Sequence, residues 1–291
     1  MAAKDRLFSG TFEQSKKIVS KSMLTEEGAQ IGVFSSMSLW KRLTGLMMLP
    51  LFAISYGVGV VLPEHFQQST EGVQAISLAA IEIIARLGQF SRYFIICFVC
   101  MSVGLIISNI LPKPNYAYQL LYGNVTLIIL SITTTISVFP LTAGLTIAAF
   151  GWIGFLPQLL LCLYLWKVCV MDKCQRLRTA IYHESTTAPD WGSKLISFIK
   201  TYGGILLGLS ILNRWTLNLG ELVKENPGFL SFLYGWFFLF FMFLMLFALG
   251  QALKNTIIAY YFFKYQKEYR KHFNISDEQW YGKWRSKILS K

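Results

Sequence analysis

Six runs of about twenty residues dominate this chain: 43–62, 93–111, 118–139, 141–166, 195–212 and 229–253. Five contain no Asp, Glu, Lys or Arg, and the sixth contains only Lys200. About twenty apolar residues wound as an α-helix match the hydrocarbon thickness of a bilayer. A soluble fold has no place for so many uncharged faces, because a surface helix hides one apolar stripe and shows a polar one. The runs predict an all-α integral membrane protein with about six transmembrane helices. Composition agrees: 14% of the 291 residues are charged, against about a quarter in ordinary globular domains. A soluble enzyme, a nucleic-acid-binding domain and a disordered chain are therefore disfavoured.

Charge sets the orientation, since Lys and Arg are retained on the cytoplasmic side. Placing the N-terminus inside puts 23 of the 27 Lys and Arg in the cytosol, leaving Arg86, Arg92, Arg214 and Lys224 outside or at its edge. Both termini are then cytosolic. The net charge of +12 becomes an orientation signal and a basic cytosolic surface, not a sign of a nucleic-acid partner. The chain divides into a cytosolic amphipathic segment (1–42), a six-helix membrane domain (43–253) and a basic, aromatic cytosolic tail (254–291). A cytosolic loop occupies 167–194. Only Pro140 separates the third and fourth runs, which predicts a tight hairpin or a deep bend there. The polar first forty residues lead into a full-length span, unlike a cleavable secretory leader.

Three segments outside the runs are amphipathic. Residues 70–89 place Glu71, Gln74, Glu82, Arg86 and Gln89 on one side and Ile76, Ala80, Ile83, Ile84 and Leu87 on the other. Glu82 and Arg86 have the i, i+4 spacing of an ion pair. This segment reads as an interfacial helix on the outer face, continuous with the second span; the competing reading inserts it, with Glu82 and Arg86 lining a polar cavity. At the N-terminus, Phe8, Phe12, Val19 and Met23 share a face, with Lys16, Lys17 and Lys21 elsewhere, and Thr11 to Gln14 has capping-box spacing. At the C-terminus, an aromatic stripe continues past the last span to a break at Asn274-Ile275. Ser276 to Gln279 then has capping-box spacing, and Trp280 and Trp284 recur beside Lys283 and Arg285. Together with Arg176 and Arg178 of the cytosolic loop, these basic and aromatic residues suit anionic lipid headgroups or a protein partner.

The spans offer little chemistry. None of the 15 Asp and Glu falls inside a run, which argues against proton- or sodium-coupled transport and intramembrane aspartyl catalysis. Cys97 and Cys100 form a C-x-x-C within a span, but no outer loop carries a second pair for a thiol relay. Cys169, Cys174 and His183 do not have the spacing of a structural zinc site. No metal or cofactor is expected. What remains is an uncharged polar vein: Asn124, Thr126, Ser131, Thr133, Thr134, Thr135, Thr142 and Thr146, followed by a candidate hinge at Gly151, Gly154 and Pro157. Hydroxyl and small residues let membrane helices pack closely; the functional alternative is a path for a neutral or lipid-like solute.

These features order three expectations. The first is a non-enzymatic accessory or assembly subunit of a bacterial transport or secretion complex in the cytoplasmic (inner) membrane, binding a protein partner or a second copy of itself. The second is a permease for a neutral or lipid-like substrate using the polar vein. The third is a lipid-modifying enzyme, with His183, Glu184 and Asp190 as the available edge residues.

Overall fold

The computed structural model describes residues 6–24, 32–68, 78–111, 113–183, 233–282 and 285–287. Among them every regular element is helical and no strand occurs. Among the described residues, four helical runs are long and apolar enough to cross a membrane: α3 (Leu39–Gln67), α4 (Leu78–Asn109), α5 (Tyr116–Tyr182) and α6 (Phe237–Lys264). Only 22–28% of their most apolar windows is buried within the protein, so most of that apolar surface needs an apolar surrounding. The chain is an integral membrane protein by this measure. Short helices α1 (Phe12–Ser15) and α2 (Gly32–Ser35) precede the bundle, and α7 (Gln266–His272) and α8 (Asp277–Tyr281) follow it. The fifth apolar run, 195–212, lies outside the described residues.

The four long helices form an up-and-down arrangement whose sense follows from their contacts. The end of α3 meets the start of α4, where Arg92 pairs with Glu64 at 3.0 Å and Gly88 sits against Pro63. The end of α4 meets the start of α5 through Asn109 and Gln119. The start of α4 packs on a later part of α5, Ile84 lying against Gly144 and beside Leu145. A straight α5 of 67 residues would be about 100 Å long, yet Tyr116 and Ile181 both pack in the cluster around Tyr261 and Phe262. The helix is therefore folded back on itself.

The fold-back is at Gly151, not at Pro140. The ascending arm, 116–150, stays helical through Pro140. Gly151 then takes φ 66°, ψ −179°, a region that essentially only glycine occupies. The descending arm, 152–182, runs beside α6: Phe155 packs on Phe238 with ring centroids 4.9 Å apart, and the Cys169 carbonyl lies against Gly250. That close approach coincides with a π-helical turn at Lys167–Met171. A proline inside a helix removes one N–H and bends the axis, and membrane helices accommodate it where neighbours cover the freed carbonyl. Reversing the chain demands a backbone state that a side chain forbids, and Gly151 supplies it.

The outer amphipathic segment is described only from residue 78. Residues 78–89 form the first turns of α4 and are continuous with the span that follows.

Candidate functional site

Most donors of the polar vein on the ascending arm bond within their own helix, while the Thr146 hydroxyl and the Asn124 side-chain carbonyl are buried without a partner. Thr126, Thr133, Thr142, Thr146 and Asn124 are buried. Thr126, Ser131, Thr134, Thr135 and Thr142 donate to carbonyls four residues back in their own helix, at 2.7–3.0 Å, and Asn124 does the same to Leu120. Thr133 does more: it also shares a 2.7 Å hydrogen bond with Ser102 of α4 and reaches the Phe98 carbonyl at 3.2 Å. The vein thus contributes two cross-helix polar contacts, both through Thr133, and a set of small, compact surfaces. Of the hinge residues, Gly151 makes the chain reversal. Gly154 lies against the Phe150 side chain, and Pro157 precedes the buried Gln158, whose amide donates to the Gly235 carbonyl at 3.0 Å.

At the end where the chain reverses, Glu82 and Arg86 form the i, i+4 ion pair at 3.8 Å, both well exposed. With Ala79, Ile83, Leu87 and Trp152 they line a groove of about 330 Å³. The pair faces outward and does not reach into the bundle.

The opposite end holds both described chain termini. There the N-terminal segment is strapped across α6 and α7 by tyrosine hydroxyls. Tyr261 donates to the Leu7 carbonyl at 2.7 Å and accepts from the Gly10 N–H at 3.0 Å. Tyr265 donates to Gly10, Tyr182 donates to Arg6, and Ser15 is 2.6 Å from the Tyr269 hydroxyl. Thr11 and Gln14 make the reciprocal capping box that starts α1. Phe12 packs edge-on against Tyr265 and Tyr269. Burial pushes the Tyr269 phenol up to about 12, against the opposing effect of its Ser15 hydrogen bond. The face containing Phe12 and Val19 is thus spent on the protein itself, not on a membrane surface.

The basic and aromatic residues of this end separate into two groups. Trp280 is buried: it lies against Phe262, and the Arg270 guanidinium stands over its ring. It is a core residue of the terminal fold, a correction to its reading as a surface anchor. Arg270 also pairs with Asp277, which fixes α8 across the Asn274 turn. Lys16 is half-buried over Phe12 and paired with Glu13. Lys17, Lys21 and Arg285 are exposed, and Arg176 and Arg178 are partly so. Lys283, Trp284, Glu184 and Asp190 lie outside the described residues.

Two buried features escaped the sequence reading. The Gln119 amide donates to the Phe34 carbonyl at 2.5 Å and to the Asn109 side chain at 2.7 Å, forming a polar layer where α2, α4 and α5 meet. Arg42, which follows Trp40 and Lys41, turns inward and is 4% exposed, whereas Trp40 is 79% exposed. Three amphiphilic residues in a row signal an interface, but nothing in their order says which one is turned inside.

Among the described residues, no group of three or more His, Cys, Asp or Glu is placed to hold a metal. Cys97 and Cys100 are exposed on α4, and Cys162 and Cys169 are buried. Comparison with protein-family models, curated proteins and solved structures found no match to this chain.

Proposed function

We propose that the chain is a non-enzymatic polytopic subunit of a bacterial inner-membrane transport or secretion assembly, with both termini in the cytosol and the termini end as its docking face. One observation supports this reading above the others: the segregation of charge between the two ends of the bundle. At the reversal end, the described basic residues are Arg86 and Arg92, and each is paired with a glutamate. Toward the other end stand Lys17, Lys21, Arg176, Arg178, Lys264, Lys267, Lys271 and Arg285 on a scaffold clamped by buried tyrosines. Retention of Lys and Arg marks a cytosolic face. A rigid basic face suits anionic lipid and an acidic protein surface.

The permease alternative draws little support from a vein in which every hydroxyl but that of Thr146 bonds to its own helix. If a solute does follow the vein, replacing Thr133, Thr134 and Thr135 by valine would abolish flux while leaving expression intact. The subunit reading is tested by extracting the protein from its native membrane in mild detergent and measuring its mass. A complex or homo-oligomer is expected, and Arg176→Glu with Arg178→Glu should weaken it without unfolding the chain. A stable, partner-free monomer would overturn the proposal.

A further inference from the structure

Arg42 is a charged side chain that is 4% exposed. Its Nε and Nη1 are closed off from solvent and have no hydrogen-bond partner, and no carboxylate pairs with it among the described ion pairs. A buried, uncompensated guanidinium is destabilising, and an anion brought beside it would offset that cost. Its surroundings increase the demand. Lys113, on the turn between α4 and α5, is held below the usual lysine range by burial and then by the charge of Arg42. The Lys113 ammonium sits 3.9 Å from the centre of the Tyr122 ring and donates to the Ser108 carbonyl at 3.1 Å. Arg285 reaches the same turn, donating to the Pro114 carbonyl at 3.1 Å. Arg42 thus acts on Lys113 and Arg285 is bonded to the Lys113–Pro114 backbone, while no acidic group among the described residues pairs with Lys113.

We propose that this junction, between the start of α3 and the α4–α5 turn, binds the phosphate of an anionic phospholipid, with Arg42 as its principal ligand and Lys113 and Arg285 at its rim. The position selects a lipid. Arg42 stands within the first turn of a membrane-crossing helix, next to the exposed Trp40 and Lys41, at headgroup depth. Basic pockets between helices at the cytosolic edge hold phosphate headgroups by charge-assisted hydrogen bonds. The bound headgroup would neutralise Arg42, relieve its repulsion with Lys113 and tie α3 to the α4–α5 turn. The proposal rests on reading the termini end as headgroup-facing, but not on any protein partner.

The test is native mass spectrometry of the full-length, delipidated protein titrated with phosphatidylglycerol and, separately, phosphatidylcholine. The wild type should retain phosphatidylglycerol in about tenfold preference, and Arg42→Gln should abolish that preference. Should Arg42→Gln fail to fold, Lys113→Gln carries the test, with binding weakened about fivefold. Equal retention of the two lipids by the wild type would overturn the proposal, as would an unchanged preference in the folded variant. Thermal stabilisation by inorganic phosphate equal to that given by phosphatidylglycerol would assign the site to a soluble anion and overturn the lipid assignment. None of these outcomes depends on whether a partner subunit co-purifies, so the site and the subunit reading fail separately.

Discussion

At the scale of single residues, hydroxyl groups that look alike in sequence differ in what they hold. Thr133, Thr134 and Thr135 are consecutive, and all three donate to their own helix. Thr133 also joins α5 to α4 through Ser102. Interhelical hydrogen bonds of this kind contribute about 0.6 kcal/mol on average and up to ~1.7. Thr133→Val should therefore destabilise the protein by about 1 kcal/mol, while Thr134→Val and Thr135→Val, which lose only back-bonds, should stay within about 0.5 kcal/mol of wild type. Unfolding in mixed micelles at increasing denaturant measures all three. Equal losses at the three positions would show that the Ser102 contact adds nothing. The same logic separates Trp40 from Arg42: both belong to an interfacial signature, but one is exposed and the other is enclosed.

At the scale of elements, α5 shows how glycine and proline divide the work of bending. Pro140 breaks the run of apolar residues on paper, and a break at proline is the ordinary expectation. In the fold it is a tolerated irregularity, and the chain turns eleven residues later at Gly151. A methyl group at φ 66°, ψ −179° costs about 1–3 kcal/mol. Gly151→Ala should lower the melting temperature measured in detergent and loosen the contact between Phe155 and Phe238. Pro140→Ala should leave the melting temperature nearly unchanged or raise it, since the helix regains a hydrogen bond. Greater damage from Pro140→Ala than from Gly151→Ala would place the functional bend back at the proline. The N-terminal strap makes a related point. Its amphipathic pattern was legible, but an apolar face on a short helix fits a lipid surface and a protein groove equally well. The receiving surface, Tyr261, Tyr265 and Tyr269, comes from the other end of the chain, so local periodicity could not choose between them.

At the scale of the whole molecule, the described ends of the chain, the α4–α5 turn and the end of the descending arm gather at one end of the bundle. If that end is cytosolic, single cysteines at position 113 and at the exposed position 276, in a background with the five native cysteines replaced, should react with a membrane-impermeant maleimide only after the membrane is opened. A cysteine at position 68 should react from outside. Labelling of position 113 from outside would invert the orientation and with it the proposed lipid site.

What the sequence determined by itself is the solvent: uncharged runs of about twenty residues require a membrane whatever their mutual arrangement, because the cost of exposing them depends on composition and length alone. The helical content follows for the same reason, since a backbone in hydrocarbon must bond within its own segment. Tertiary structure decided which small residues are contacts, where α5 turns, that Trp280 is core, and that Arg42 lies enclosed beside Lys113 and Arg285. Each of these depends on groups distant in sequence meeting in space. Asn109 and Gln119 become a buried pair, and Gly10 becomes a strap point, only when other helices arrive to close around them.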